Sequence, residues 1–258
     1  MRHVIVFCAA VLIGLAAVGS ASARSDVSNR GKSVAVPAKV AETACVAGSV
    51  QRLGTPRRSY AAIARTRLTA FRRPGRGRFA EFGVRNVNGV ATVFAVRSRR
   101  IDGTCRARWY RVQLPIKPNG VRGWVRAKDV TLVRVRTRVV VDLSARRVTL
   151  FSRGRRVMSV RAAIGSSATP TPTGSYYVNQ RLIAPDARGP FGPGAVGISA
   201  FSEVLTGWVQ GGPVAIHGTN RPDLIGQAVS NGCIRIRNDG LRRLFSLALA
   251  GTPVLVRA

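Results

Sequence analysis

Apolar residues follow three rhythms along the chain, and each predicts a different kind of element. The first is a continuous run from Val4 to Val18, preceded by Met1-Arg2-His3 and followed by Gly19-Ser20-Ala21-Ser22-Ala23. A basic start, an apolar centre and a small-residue A-x-A site are the parts of an export signal, so residues 1–23 are expected to be removed after Ala23. The run falls short of the ~20 residues that span a bilayer, so no stable membrane span is expected after cleavage; an uncleaved anchor is the alternative. Residues 24–44 are polar or small without an apolar period and read as a linker.

The second rhythm is a series of short apolar runs broken by Gly, Pro and Asn. Between about Cys45 and Val133 these include Val90-Ala91-Thr92-Val93-Phe94-Ala95-Val96 and Trp109-Tyr110-Arg111-Val112-Gln113-Leu114, which predict strands of a small β-barrel over 45–134. A second β-rich unit, 137–258, opens with Arg138–Leu143 and Arg147–Phe151 joined by Ser144-Ala145-Arg146, a hairpin by alternation and turn chemistry. Val157–Ile164 reads as a further strand. The third rhythm is helical. Asn238–Gly251 has an Asn to cap it, Leu241, Leu244, Phe245 and Leu249 on one face and a closing Gly, and Thr252–Val256 then returns as a terminal strand. The expected fold class is therefore mainly β, in two domains, with one C-terminal helix.

Composition sharpens this picture. An apolar fraction of 46% over 258 residues is enough for two cores, which excludes a disordered tail. The net charge of +32 becomes +31 once Arg2 leaves with the signal, and only Lys32, Lys39, Lys117 and Lys128 of the cationic residues are Lys. Such a field favours anionic partners. Nucleic acid is a poor candidate, because the arginines are scattered, no nucleic-acid motif is present and the chain carries an export signal. Wall polymers rich in carboxylate or phosphate fit better; plain solvation and coding bias are the bland alternative. Removing Cys8 and His3 leaves three cysteines, Cys45, Cys105 and Cys233, and one histidine, His217. Three thiols in an oxidising compartment leave one unpaired.

The chemistry-bearing residues cluster around that histidine. Thr169-Pro170-Thr171-Pro172-Thr173-Gly174 and Phe191-Gly192-Pro193-Gly194 are small-residue loops; Ile216-His217-Gly218-Thr219-Asn220 and Ser230-Asn231-Gly232-Cys233-Ile234-Arg235 follow. A thiol becomes a good nucleophile when an imidazole takes its proton and a positive environment stabilises the thiolate. Gly232 permits a tight turn in which the amides of Asn231, Gly232 and Cys233 converge as an oxyanion hole. Taken singly, Cys233 is a small core hydrophobe and His217 a satisfied core residue. A metal site needs three or four ligands, which one His and one spare Cys do not supply, so no metal and no organic cofactor is expected.

Taken together, the histidine, the Ser-x-Gly-Cys-Ile-Arg run after it, the "TPTG" of residues 171–174 and the "HGT" of 217–219 resemble the L,D-transpeptidases of bacterial cell walls. The likeness runs over residues 137–258 and implies a β-sandwich and peptidoglycan stem peptides as substrate. It implies Cys233 as acylated nucleophile, His217 as base, and the Asn231–Cys233 amides as oxyanion donors. Asn231 departs from the pattern, since many members carry a second histidine there. Arg235 lies close enough after the nucleophile to hold a substrate carboxylate. Ser230, Gly218 and Thr219 are further substrate contacts on this reading, or simply turn formers. The strand 109–115, the turn at Asn119-Gly120 and Gly123-Trp124-Val125 resemble bacterial SH3-like domains. If Cys233 stays reduced, Cys45 and Cys105 are the remaining pair; both free is the alternative. The function expected is a transpeptidase exported to the cell wall. An L,D-carboxypeptidase using water and an inactive wall-binding protein are the rivals, and oligomeric state is left open.

Overall fold

A computed structural model describes residues 45–55 and 57–258, so the expected signal and linker lie outside the described residues. The N-terminal sheet contains β1 (Val50–Arg52), β2 (Ser59–Ala64), β3 (Leu68–Arg73), β4 (Arg76–Phe82), β5 (Val93–Ile101), β6 (Ala107–Gln113), β7 (Arg122–Arg126) and β8 (Val130–Val135), ordered β4-β3-β7-β6-β5-β2-β8 with β1 on β5. Its core forms where alternation turns Ala62, Leu68, Phe94, Val112, Leu114 and Val125 inward. The two motif strands around Asn119-Gly120 do pair, as β6 against β7 with Tyr110 opposite Val125.

Nine further strands follow Arg136. They are β9 (Thr137–Asp142), β10 (Arg147–Ser152), β11 (Arg155–Gly165), β12 (Gly174–Ile183), β13 (Gly194–Phe201), β14 (Pro213–His217), β15 (Ala228–Ser230), β16 (Ile234–Ile236) and β17 (Pro253–Arg257). Two long strands are shared. The first half of β11 pairs with β10 and the second with β16 and β15; the first half of β12 pairs with β17 and the second with β13. The sheet therefore folds over into a sandwich. Val139, Val141, Val148 and Leu150 from one layer meet Val196, Ile198, Ile216 and Ile234 from the other, all at most 1% exposed. The fold class is mainly β with one helix among the described residues, as the periodicity predicts.

The hairpin β9–β10 forms as the sequence predicts, with Arg146 at φ +47 in its turn. The helix differs from expectation at both ends. It spans Asn238–Leu247, α1, with Arg237 in the cap position and no side-chain cap, because the Asn238 side chain is engaged elsewhere. Leu249 falls beyond its end and is exposed. Leu241 and Leu244 are buried as the spacing requires.

The two sheets pack against one another through polar as well as apolar links. Buried Gln113 donates to the Ser175 carbonyl at 2.9 Å and buried Tyr177 donates from its hydroxyl to the Val93 carbonyl at 3.1 Å. Asn119 pairs with both the carbonyl and the amide of Phe201, at 2.8 and 2.9 Å. Gly251 lies so close to Ala61 that a Cβ there would overlap it, which fixes a glycine at the point of approach. Cys45 and Cys105 form a disulfide across 60 residues and tie the start of the described chain to the β5–β6 turn. A loop of that length corresponds to about 4 kcal/mol by chain entropy. Replacing both cysteines with Ser should lower the urea midpoint accordingly, without loss of Cys233 reactivity; an unchanged midpoint would show that the crosslink does not constrain the unfolded chain.

Candidate active site

The site is set by one pairing. β14 and β16 run parallel with Ile216 opposite Ile234 and His217 opposite Arg235. Both isoleucines are fully buried in the core, so alternation turns Ala215, His217, Cys233 and Arg235 to the other face. The His217 imidazole and the Cys233 thiol thus lie on one side of the sheet, Cys233 immediately before β16 and two positions out of register with His217. Cys233 is the free thiol among the described residues and is half-buried.

His217 is 4% exposed and held from two directions. Its Nδ1 donates to the Gly218 carbonyl at 2.6 Å, which leaves Nε2 as the bare nitrogen that can accept a proton. The Phe191 ring lies across it at 4.8 Å between centroids. Burial, opposed by the Gly218 bond and aided by the Arg235 charge, pulls the imidazole down to about 4, so it is neutral at neutral pH. Burial also pushes the Cys233 thiol above its ordinary value, offset in part by the Ala215 amide and the Arg235 guanidinium. The sequence suggests a thiolate made stable by a basic neighbourhood. In the structure desolvation outweighs those charges, and the resting pair is thiol and neutral imidazole.

The loop carrying the nucleophile is braced from inside. Ser230, 1% exposed, accepts the Gly232 amide at 3.2 Å and donates to the Cys233 carbonyl. Gly232 adopts φ +101, a backbone state that L side chains rarely take. The Ser230 carbonyl in turn accepts from the Thr169 hydroxyl at 2.9 Å and the Ser166 amide at 2.9 Å. Thr171, within the "TPTG" run, accepts the Gly165 amide at 2.9 Å. That run therefore backs the nucleophile turn.

These bonds correct three expectations. Ser230 is not placed to touch substrate, because its hydroxyl is spent within its own turn. Thr219 is buried too: its hydroxyl accepts the Arg221 amide and its own amide donates to Asn238 Oδ1, at 2.9 and 2.8 Å. Of the three amides expected to converge on an oxyanion, that of Gly232 already has a partner in Ser230 Oγ. Gly218 contributes its carbonyl to His217, and any side chain there would overlap Asn238 and Pro193. Arg235 is half-buried with Nε enclosed and without a hydrogen-bond partner, an orphan donor beside the thiol. Asn238 and Ser166 lie beside these groups without having been picked out as site residues in the sequence, where Asn238 resembled a helix cap; the Phe191 loop was picked out, and its ring does lie against His217. No cluster of three or more His, Cys, Asp or Glu side chains suited to a metal occurs among the described residues.

Among the described residues, a free thiol and an oriented neutral imidazole share one face of the sheet, with the Arg235 guanidinium alongside. Residues 136–256 match the family model of the L,D-transpeptidase catalytic domain, YkuD. The chain is 35% identical over 119 residues to a putative L,D-transpeptidase YkuD of Bacillus licheniformis, covering 46% of this chain and 64% of that protein. The corresponding Bacillus subtilis protein is 35% identical over 118 residues, again 46% and 64%. The chain thus spans less than two-thirds of the length of these curated relatives. Among solved structures, L,D-transpeptidase 3 from Mycobacterium tuberculosis aligns over 78% of this chain and 99% of its own at 16% identity, TM-score 0.42.

Two measurements check the site's construction. Asn238→Ala leaves the buried Thr219 amide without an acceptor, which costs about 1–3 kcal/mol; the variant should unfold at lower urea and lose Cys233 reactivity with it. For His217 the sign follows from its lowered value. Between about 6.5, the unfolded reference, and 4 the unfolded chain binds the proton that the folded chain refuses, so stability falls as pH drops through that window. The loss should approach about 3 kcal/mol and be absent in His217→Ala; a parent and variant with parallel pH curves would show that the imidazole is not buried neutral.

Proposed function

We propose that this chain is an exported L,D-transpeptidase that cross-links peptidoglycan stem peptides through an acyl-enzyme on Cys233. The observation that supports it best is the His217 tautomer: with Nδ1 tied to the Gly218 carbonyl, the bare Nε2 shares a sheet face with the Cys233 thiol. As Sγ attacks the donor carbonyl, Nε2 takes the thiol proton, and the Asn231 and Cys233 amides stabilise the oxyanion. The tetrahedral centre collapses by breaking the bond to the terminal D-residue, whose amine leaves with the proton from His217. An acceptor amine then attacks the thioester as it loses its proton to His217, the C–S bond breaks, and the departing Cys233 sulfur takes that proton back from His217. Arg235, with its unpaired Nε, is suited to hold a carboxylate of the stem. The N-terminal sheet is proposed as an SH3-like wall-facing domain, and secretion to the cell wall fits the basic, apolar, small-residue start.

Incubation with a carbapenem-type β-lactam tests the nucleophile. Mass spectrometry should find one adduct on Cys233 in the parent chain and none in Cys233→Ser; an adduct elsewhere, or none, would falsify the assignment. Purified stem peptides then give cross-linked dimer for a transpeptidase, or trimmed monomer for a carboxypeptidase. His217→Ala should slow acylation by about 10²–10⁴-fold at neutral pH. Because burial raises the thiol, that deficit should persist beyond pH ~8.5, the ordinary thiol value, and the acid limb of the parent should lie near 4. A variant that reaches the parent rate at neutral pH excludes His217 as the base.

A further inference from the structure

A cluster of arginines without carboxylates lies away from Cys233. A cavity of about 520 Å³ opens between the two sheets, and seven arginines line it without one Asp or Glu. Arg52 and Arg58 come from the N-terminal segment and Arg136 and Arg138 from the link into β9; Arg97 and Arg122 come from β5 and β7. None of the seven takes part in the four ion pairs found among the described residues.

Arg97 shows that the cavity lacks a counter-charge. Its side chain is half-buried, one edge of the guanidinium donates to neutral Gln113 Oε1, and Nε is enclosed without a partner. Burial and then the Arg122 charge pull the guanidinium below its usual value, so folding leaves it both desolvated and repelled. An unpaired buried donor costs free energy, and a buried cation without a partner costs more. Gln113 cannot move away to relieve it, because its amide holds the Ser175 carbonyl across the sheet junction. The ligand that removes both penalties is an anion with several oxygens and more than one charge. Guanidinium forks match phosphate oxygens two at a time, and converging arginines suit phosphate better than a singly charged carboxylate.

We propose that this inter-sheet cavity is a phosphate-binding site, with half-buried Arg97 at its floor and the exposed Arg122, Arg136 and Arg138 around it. It is separate from the transpeptidase reading and does not depend on it. The phosphate arrives either free or as the phosphodiester of an anionic polymer, and both use the same contacts.

Calorimetric titration of the full chain with sodium pyrophosphate, against sodium chloride at matched ionic strength, tests the site. Pyrophosphate should bind saturably at one site while chloride does not. Arg97→Gln combined with Arg122→Gln should weaken binding at least tenfold, and so should Arg136→Gln with Arg138→Gln, whose exposed side chains can be changed without touching the Gln113 bond. Arg242→Gln with Arg243→Gln removes the same charge from exposed positions on α1 that do not line the cavity, and should bind as the parent does. A glycerol-phosphate oligomer distinguishes the sources: tighter binding than pyrophosphate marks the polymer as ligand, equal or weaker binding the free anion. Equal weakening in the α1 control and the cavity variants, or equal response to chloride and pyrophosphate, overturns the proposal in favour of diffuse charge.

Discussion

The parallel pairing of β14 with β16 is the constraint on which the site depends. It sets Ile216 beside Ile234 in the core, and their burial fixes the register of both strands. A slip of one residue would turn both isoleucines outward and carry His217, Cys233 and Arg235 into the core. The same hydrophobic contacts that stabilise the sandwich therefore decide that His217, Cys233 and Arg235 share the opposite face, because the alternation has a period of two.

Around that pairing the loops contribute hydrogen bonds rather than reactive groups. Ser230, Thr169 and Ser166 hold the turn that presents Cys233, while Asn238 and Gly218 hold the segment after His217. The glycines at 218 and 232 serve different ends. The first leaves room for Asn238 and Pro193, and the second supplies a positive φ where a side chain would still have space. The result is a nucleophile and a base that are both neutral at rest.

Much of this was legible in the sequence and some was not, for a physical reason. Strand alternation over 138–151 and helical spacing at Leu241 and Leu244 are local, and the elements appear where the pattern places them. Small residues around Cys233 and His217 marked the two segments whose thiol and imidazole the fold brings onto one sheet face. The bracing bonds were not visible because they join residues far apart in the chain, such as Thr219 with Asn238 and Thr169 with Ser230. A hydroxyl's destination depends on the fold, so Ser230 and Thr219 looked like substrate contacts when they are internal struts. Asn238 misled in the same way: its type suits a helix cap, and tertiary structure claimed its side chain for another amide. The protonation state was hidden too, since burial cannot be read from a basic composition.

The abundant arginine bears on that last point. Cys233 and His217 each feel one guanidinium, that of Arg235, and burial acts on both more strongly than it does. Exposed charges farther off are screened within about a Debye length, ~8 Å at physiological ionic strength. The +32 of the whole chain thus does little to tune the nucleophile. Its effect is on association: a surface of one sign attracts anionic surroundings over distances at which it cannot shift a thiol. The protonation of the thiol and imidazole is governed by desolvation and one fixed neighbour.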